Sequence, residues 1–280
     1  MINPLPSDQL EKSQTKSVWG AKPAGSIFAK DLTPGTFEFF EKTMKARNEY
    51  EMPRVLDLIP FASMGRRKVL ELGCGAGYDA LAFCRNQADY TGIDLTPENI
   101  QRTRTHLEYF GYHPDIQEGD AEHLSFASSS FDVVYSNGVL HHTPHIEKSF
   151  AEAYRVLTPG GRFWVILYYR HSIFYWITLG LVDHCLRMGF TKRSFSERLA
   201  MIEYTTSQAL PGVRVYSRRD LRQLLNSAGF SVEGLWVRKL NREDLPAIPI
   251  AGRLWKWIPQ SWLDSLGKRW GWYLIAEARK

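Results

Sequence analysis

The sequence predicts an α/β fold: a doubly wound sheet of seven strands, mostly parallel, with helices on both faces and a helical cap inserted late in the chain. Three observations carry this prediction. Apolar runs of strand length alternate with amphipathic stretches from Lys68 to about Arg170. The first run, Val69-Leu70-Glu71-Leu72, breaks into alternating glycines at Gly73, Gly75 and Gly77. The rhythm then stops after Arg170 and resumes at Ser217.

Each element follows from local signals. Lys68–Leu72 is a buried strand, and Tyr78–Arg85 a helix behind the glycine turn. Tyr90–Asp94 is a short strand that ends in an acid. Thr96-Pro97-Glu98 opens a helix with a capping threonine, proline at the first helical position and an early acid. Asp115–Glu118 and Phe131–Ser136 are the third and fourth strands. Ile146, Phe150, Ala153, Tyr154 and Leu157 share one helical face, which Thr158-Pro159-Gly160-Gly161 ends as a turn. Arg162–Tyr169 is a long apolar fifth strand. Ser217 with Asp220 forms a capping box for a helix that Gly229 closes. Phe230–Val237 and Trp272–Ala278 are the last two strands. The expected organisation is an N-terminal arm with lid helices (1–50), a core (51–170), a cap insertion (171–213), and the end of the sheet with a Trp-rich segment (214–280).

Composition narrows the class. With 280 residues and 44% apolar content, the chain can bury a full core. Cys74, Cys84 and Cys185 show no C-x-x-C spacing, an intracellular pattern that leads us to expect a cytoplasmic protein without a metal site. Met1–Lys16 is polar, lacks a signal-peptide core, and is expected to be a frayed arm. Charge is uneven: residues 1–150 carry a net −5 and residues 151–280 a net +10. That asymmetry suggests an anionic partner for the second half, or simply a solvated basic face. Five of the nine tryptophans (255, 257, 262, 270 and 272) lie near Lys256, Lys268 and Arg269. Tryptophan among cations can mark an interfacial helix, but packing in the core or at a dimer contact is the preferred reading, ahead of peripheral membrane contact. Ile173–Val182 is too short to cross a bilayer, which takes roughly 20 apolar residues.

The glycine run points to a ligand that the backbone approaches closely. Its G-x-G-x-G spacing departs from the dinucleotide fingerprint, whose third glycine falls one place later, where this chain has Tyr78. Glu71 would also meet a pyrophosphate with an unwanted negative charge. A cationic or hydroxylated ligand suits the turn better. Asp94, Gly119-Asp120-Ala121-Glu122 and Ser136-Asn137-Gly138 stand at the ends of the next three strands, where ligands of such sheets bind.

Five motifs in this order resemble the class I S-adenosylmethionine-dependent methyltransferases, in the small-molecule, methyltransferase type 11-like branch. They are Val69–Tyr78, Gly92–Asp94, Asp120–Glu122, Phe131–His142 and Leu157–Gly161. The resemblance covers roughly residues 50–170 and implies a Rossmann-like sheet whose last strand is antiparallel. It implies S-adenosyl-L-methionine as methyl donor and S-adenosyl-L-homocysteine as product. By position, Gly73, Cys74, Gly75 and Gly77 would lie against the methionine part, and Glu71 would hold this loop and the amino group. Asp94 would accept both ribose hydroxyls, and Leu95 would lie against the adenine. Asp120, Ala121 and Glu122 would form the adenine end, and Ser136 and Asn137 the floor beneath the sulfonium. Trp19 belongs to a segment that folds over the cofactor, and Arg47 and Tyr50 would face its carboxylate. The pair His141-His142 offers a base, with His142 as the pocket-facing candidate. Tyr168, Arg170, Phe174, Tyr175 and Arg214 are candidates for an acceptor pocket, with the arginines suited to an anionic group.

The implied reaction is methyl transfer to a small molecule, anionic or aromatic, by in-line displacement, by a monomer or homodimer. A dehydrogenase-type nucleotide binder is disfavoured by the glycine spacing. A binding protein of the same fold without catalysis is one alternative. Nucleic-acid methylation is another, although no amine-binding Asn-Pro-Pro-Tyr motif follows the fourth strand and no RNA-binding module is visible, so no nucleic-acid partner is expected.

Overall fold

A computed structural model describes residues 7–52, 54–186, 194–201, 212–246 and 255–280. Parts of the expected cap, residues 187–193 and 202–211, lie outside the described residues. The strands are β1 (Lys68–Leu72), β2 (Asp89–Asp94), β3 (Asp115–Glu118), β4 (Phe131–Asn137), β5 (Leu157–Tyr168), β6 (Ser231–Arg238) and β7 (Tyr273–Arg279). They form one sheet in the order β3-β2-β1-β4-β5-β7-β6. β1 to β5 pair in parallel, and β7 runs antiparallel to both β5 and β6.

Alternate residues of the central strands face opposite layers, as the pleat requires. Leu70, Leu72, Val134, Phe163 and Val165 pack with Phe150, Ala153, Leu221 and Leu225. The last four belong to α5 (Ile146–Val156) and α7 (Arg218–Ser227). On the other face Val69, Val133, Tyr135, Trp164 and Ile166 pack with Leu81, Phe83, Ile100 and Leu107, from α3 (Tyr78–Arg85) and α4 (Pro97–Glu108). Burial on both faces explains why β1 and β5 read as continuous apolar runs. The remaining helices are α1 (Ser7–Ala21), α2 (Phe37–Ala46), α6 (Phe195–Ala200) and α8 (Gln260–Trp270). No helix among the described residues is long and apolar enough to cross a membrane.

Two local expectations need correction. Residues 7–16 are not a frayed arm; they form most of α1, which ion pairs hold against the loops at the strand ends. The sequence showed no apolar core there because the helix is fastened by charge. Thr158–Gly161 is not a separating turn. β5 starts at Leu157, opposite Phe131, and pairing resumes at Arg162 opposite Val133, so those four residues bulge out of a single strand. α2 stops at Ala46, and Arg47–Glu51 form a wider helical turn in which Arg47 is buried at 7% exposure.

Candidate functional site

A cleft opens at the carboxyl ends of β1, β2, β3 and β4, and its floor is the loop after β1. Gly73, Gly75 and Gly77 all have positive φ, at 84°, 57° and 78°. At Gly73 a Cβ would stand 2.3 Å from Val139, so only glycine lets β1 and the loop after β4 converge. The loop is pinned from several sides. The Gly73 and Cys74 amides donate to the Ile93 carbonyl at 2.8 and 3.0 Å, and Thr103 donates to the Gly75 carbonyl at 2.9 Å. His106 Nδ1 lies 2.8 Å from the Ala76 carbonyl and must carry the hydrogen there. Burial lowers the His106 pKa to about 4, so the ring is neutral at physiological pH.

Asp94 ends β2 with both carboxylate oxygens engaged. Oδ2 accepts from the Gly75 amide at 2.9 Å, and Oδ1 accepts from the Thr96 amide at 2.9 Å and Asn99 at 3.3 Å. Burial raises its pKa, while these donors favour the ionised form. A carboxylate has about four acceptor positions, so the group retains capacity toward the cleft.

Beneath the glycine loop lies a buried polar cluster. Arg47 donates to Asp79 Oδ2 at 2.7 Å, and the same oxygen accepts from Tyr135 at 3.0 Å and Asn137 at 2.9 Å. Glu71 accepts a short hydrogen bond from the Tyr90 hydroxyl. Burial, then the Asp79 charge, pushes the Glu71 carboxyl well above the usual range. Burial opposes the Arg47 charge, but Asp79, Tyr135 and Glu51 more than offset it and raise its pKa. Two acids thus face one guanidinium. Asp79 Oδ1 and Asn137 Oδ1 are buried acceptors with no donor among the described residues, and both side chains line the cleft. Such atoms call for a donor.

At the opposite end α1 crosses the opening. Lys12 Nζ lies 2.7 Å from both Asp120 Oδ2 and Glu122 Oε2. Burial opposes the charge on Lys12, yet its bonds to the two acids raise its pKa. Asp120 Oδ1 accepts from the Glu122 amide, and Glu122 Oε1 accepts from the His145 amide. Glu11 pairs with Arg214 at 2.8 Å, and Lys16 with Glu118 at 2.8 Å. Thr15 and Trp19 of the same helix line the cleft.

The cleft brings together Trp19, Glu71, Gly73, Cys74, Gly75, Asp94, Leu95, Asp120, Ala121, Asn137 and His142. It leaves Gly77, Glu122, Ser136 and His141 out of the lining. Ser136 is wholly buried and donates to the Leu72 carbonyl at 2.9 Å. Burial, then the Asp94 and Glu71 charges, pushes the Cys74 thiol well up, so it is protonated and a poor nucleophile. His142 Nδ1 lies 3.1 Å from the Gly212 carbonyl. The hydrogen therefore belongs on Nδ1, and Nε2 is the basic nitrogen. His141 is wholly buried, its centroid 3.9 Å from that of Tyr168. Burial, then His142, lowers its pKa well below the usual histidine value.

The five acceptor-pocket candidates lie outside the cleft lining. Tyr168 stacks on Trp272, with Phe174 edge-on to the same indole. Tyr175 packs against Phe195. Arg170 pairs with Asp220 at 3.0 Å, and Arg214 with Glu11. Lys12, Asp79 and Asn99 are functional candidates that the sequence reading did not single out. Asp79 alone had a visible signal: an acid in the first turn of a helix that follows a glycine loop.

Residues 70–165 match the family described as a methyltransferase domain. The phthiotriol/phenolphthiotriol dimycocerosates methyltransferase of Mycobacterium tuberculosis is 40% identical over 102 residues, which span 36% of this chain and 37% of that relative. A sterol 24-C-methyltransferase of Debaryomyces hansenii is 25% identical over 195 residues, 68% of this chain and 47% of that one. Among solved structures, an S-adenosylmethionine-dependent methyltransferase from Thermotoga maritima superposes with a TM-score of 0.56 at 17% identity. That likeness, which covers 95% of this chain and 99% of the other, concerns the fold alone. The chain thus spans less than half the length of both curated relatives.

Proposed function

We propose that this chain, whose residues 70–165 match a methyltransferase domain, is a class I S-adenosylmethionine-dependent methyltransferase that transfers a methyl group to a small, apolar acceptor bearing an ionisable hydroxyl or thiol. One observation carries the cofactor assignment. Asp79 and Asn137 line the cleft, and each holds a buried oxygen acceptor with no donor among the described residues, although Asp79 already accepts from Arg47. An α-ammonium would bring the missing donors, and Arg47 is the cation available to a carboxylate. A pyrophosphate would bring none. Asp94, with spare acceptor capacity, would take the ribose hydroxyls. Leu95 and Ala121 would lie along the base, and Asp120 would have to divide itself between Lys12 and an adenine amine.

When bound, the cofactor supplies an electrophilic sulfonium methyl. The protein's part is alignment and proton removal. His142 would take the acceptor's proton on Nε2, because Nδ1 is committed to Gly212. The cleft would hold the deprotonated acceptor in line with the methyl that the bound cofactor would supply, for displacement with the electron pair leaving on the cofactor's sulfur. Trp19 and Val139 beside His142 offer an apolar wall. An apolar acceptor also agrees with relatives named for a dimycocerosate and a sterol.

Calorimetry with S-adenosylhomocysteine and with NAD tests the donor: the first should bind and the second should not. Labelled methyl donor offered to panels of apolar phenols, alcohols and thiols tests the transfer. His142→Ala should lower turnover by about a hundredfold or more and leave S-adenosylhomocysteine affinity within a few-fold. The reverse pattern would make His142 structural, and labelling of no acceptor would favour a binding protein.

A further inference from the structure

The tryptophans near the C-terminal end, for which packing was the preferred reading, divide into two groups. Trp272 is buried, but Trp257 is 85% exposed, Trp262 67% and Trp270 38%. On α8, Trp262, Leu266 and Trp270 follow one another at intervals of four and form a single outward stripe. The inward side consists of Leu263 and Gly267, with Gly267 against Leu240. Asp264, the only acid of α8, is turned toward Arg54 at 3.2 Å and leaves the outward side without negative charge. Lys268 and Arg269 are exposed on the same helix, Arg269 next to the stripe, with its guanidinium 5.0 Å from the Trp270 ring centroid. Lys256 stands exposed next to Trp257.

Further exposed apolar side chains stand on a segment bonded to the turn before α8. Trp176, Ile177 and Leu181 are exposed on the helical segment Phe174–Leu186. Thr178 of that segment donates to the Asp244 carbonyl, and Arg242 donates to the Ile258 carbonyl at 2.7 Å. The turn Arg242–Asp244 therefore ties both segments together.

We propose that this surface docks on an anionic lipid membrane, with Trp257, Trp262, Leu266 and Trp270 in the interface and Lys256, Lys268 and Arg269 at the headgroups. Indoles combine an apolar body with a polar N–H and settle at such boundaries, and lysine and arginine beside them are drawn by anionic lipid. Charge decides between a bilayer and a second copy of the chain. Two copies meeting face to face would bring like cations together around the stripe, whereas anionic headgroups complement them. The net +10 of residues 151–280 acts in the same direction.

Co-sedimentation with vesicles tests the proposal without reference to catalysis. The protein should pellet with phosphatidylglycerol/phosphatidylcholine vesicles, release as salt is raised, and remain in solution with phosphatidylcholine alone. Replacing Lys268 and Arg269 by glutamine should weaken binding about fivefold for each cation removed. W262E/W270E should weaken it by about tenfold or more. Both variants replace exposed side chains and should keep the wild-type melting temperature and S-adenosylhomocysteine affinity. Absence of pelleting with anionic vesicles at low salt would overturn the proposal, as would equal binding to neutral vesicles or undiminished binding by W262E/W270E. A dimer that W262E dissociates, without vesicle binding, would assign the face to self-association instead.

Discussion

The two ends of the cleft handle negative charge in different ways. At the glycine-loop end, Glu71 and Asp79 belong to β1 and α3 and are almost fully buried, with Asp79 paired to the buried Arg47. At the other end, Asp120 and Glu122 follow β3 and are met by Lys12, about a fifth exposed, from a helix more than a hundred positions away in sequence. The first arrangement is part of the core and leaves acceptors without donors. The second is complete without a ligand, and its cation arrives on an element that can be lifted without unpicking the sheet. A ligand at the first end would therefore satisfy groups already in place, whereas at the second it would compete with a contact already made.

Substitutions at each end should reveal that difference. Asp79→Ala leaves the Arg47 guanidinium buried and unpaired, and should cost about 3–5 kcal/mol of stability, read as a lower urea midpoint. A loss below about 1 kcal/mol would mean that the cluster behaves like a surface pair. Asp94→Ala should weaken S-adenosylhomocysteine binding by about a hundredfold through loss of charge-assisted hydrogen bonds; calorimetry showing unchanged affinity would remove Asp94 from the ribose position.

Acid should loosen the loop end selectively. The folded pKa of His106 is depressed to about 4, below its unfolded value of about 6.5. Between those values the unfolded chain binds the extra proton, so the contribution is intact above about pH 6.5 and is lost as pH falls toward 4. The loss amounts to about 3 kcal/mol at most. A melting-temperature series from pH 7 to 4 should fall less steeply in His106→Gln, and parallel slopes would clear His106 of the effect. The smallest effect belongs to Lys12→Ala. Because Glu122 is buried, stability should fall by about 1–2 kcal/mol, while stopped-flow release of S-adenosylhomocysteine should quicken by about three- to tenfold as α1 loses its central tie. Unchanged release would mean that α1 does not restrain the ligand.

What the sequence makes legible follows the range of the interactions involved. The glycine loop, Asp94 and the acid after β3 are visible because each is a local pattern tied to the end of a strand. The fold is visible for the same reason, since the apolar runs of β1, β4 and β5 reflect burial on both faces. Lys12 is hidden because its partners, Asp120 and Glu122, lie far along the chain and its own surroundings are polar throughout. Asp79 reads as an ordinary acid at the start of a helix until Arg47 is seen beside it. The aromatic candidates after β5 are ambiguous in sequence, where a ring for a ligand and a ring for packing look alike; Tyr168 and Phe174 meet Trp272 from β7's approach. The exposed tryptophans show the same ambiguity from the other side.

The position of β7 also bears on how the molecule assembles. β5 is buried along most of its length, but the strand that covers its outer edge begins roughly a hundred residues later. β6, made before β7, cannot take that place, because β7 lies between the two. During synthesis the apolar edge of β5 thus stays open as a template for pairing with other chains. Folding yield should therefore depend more on how quickly β7 is delivered to that edge than on the cleft at the far end of the strands.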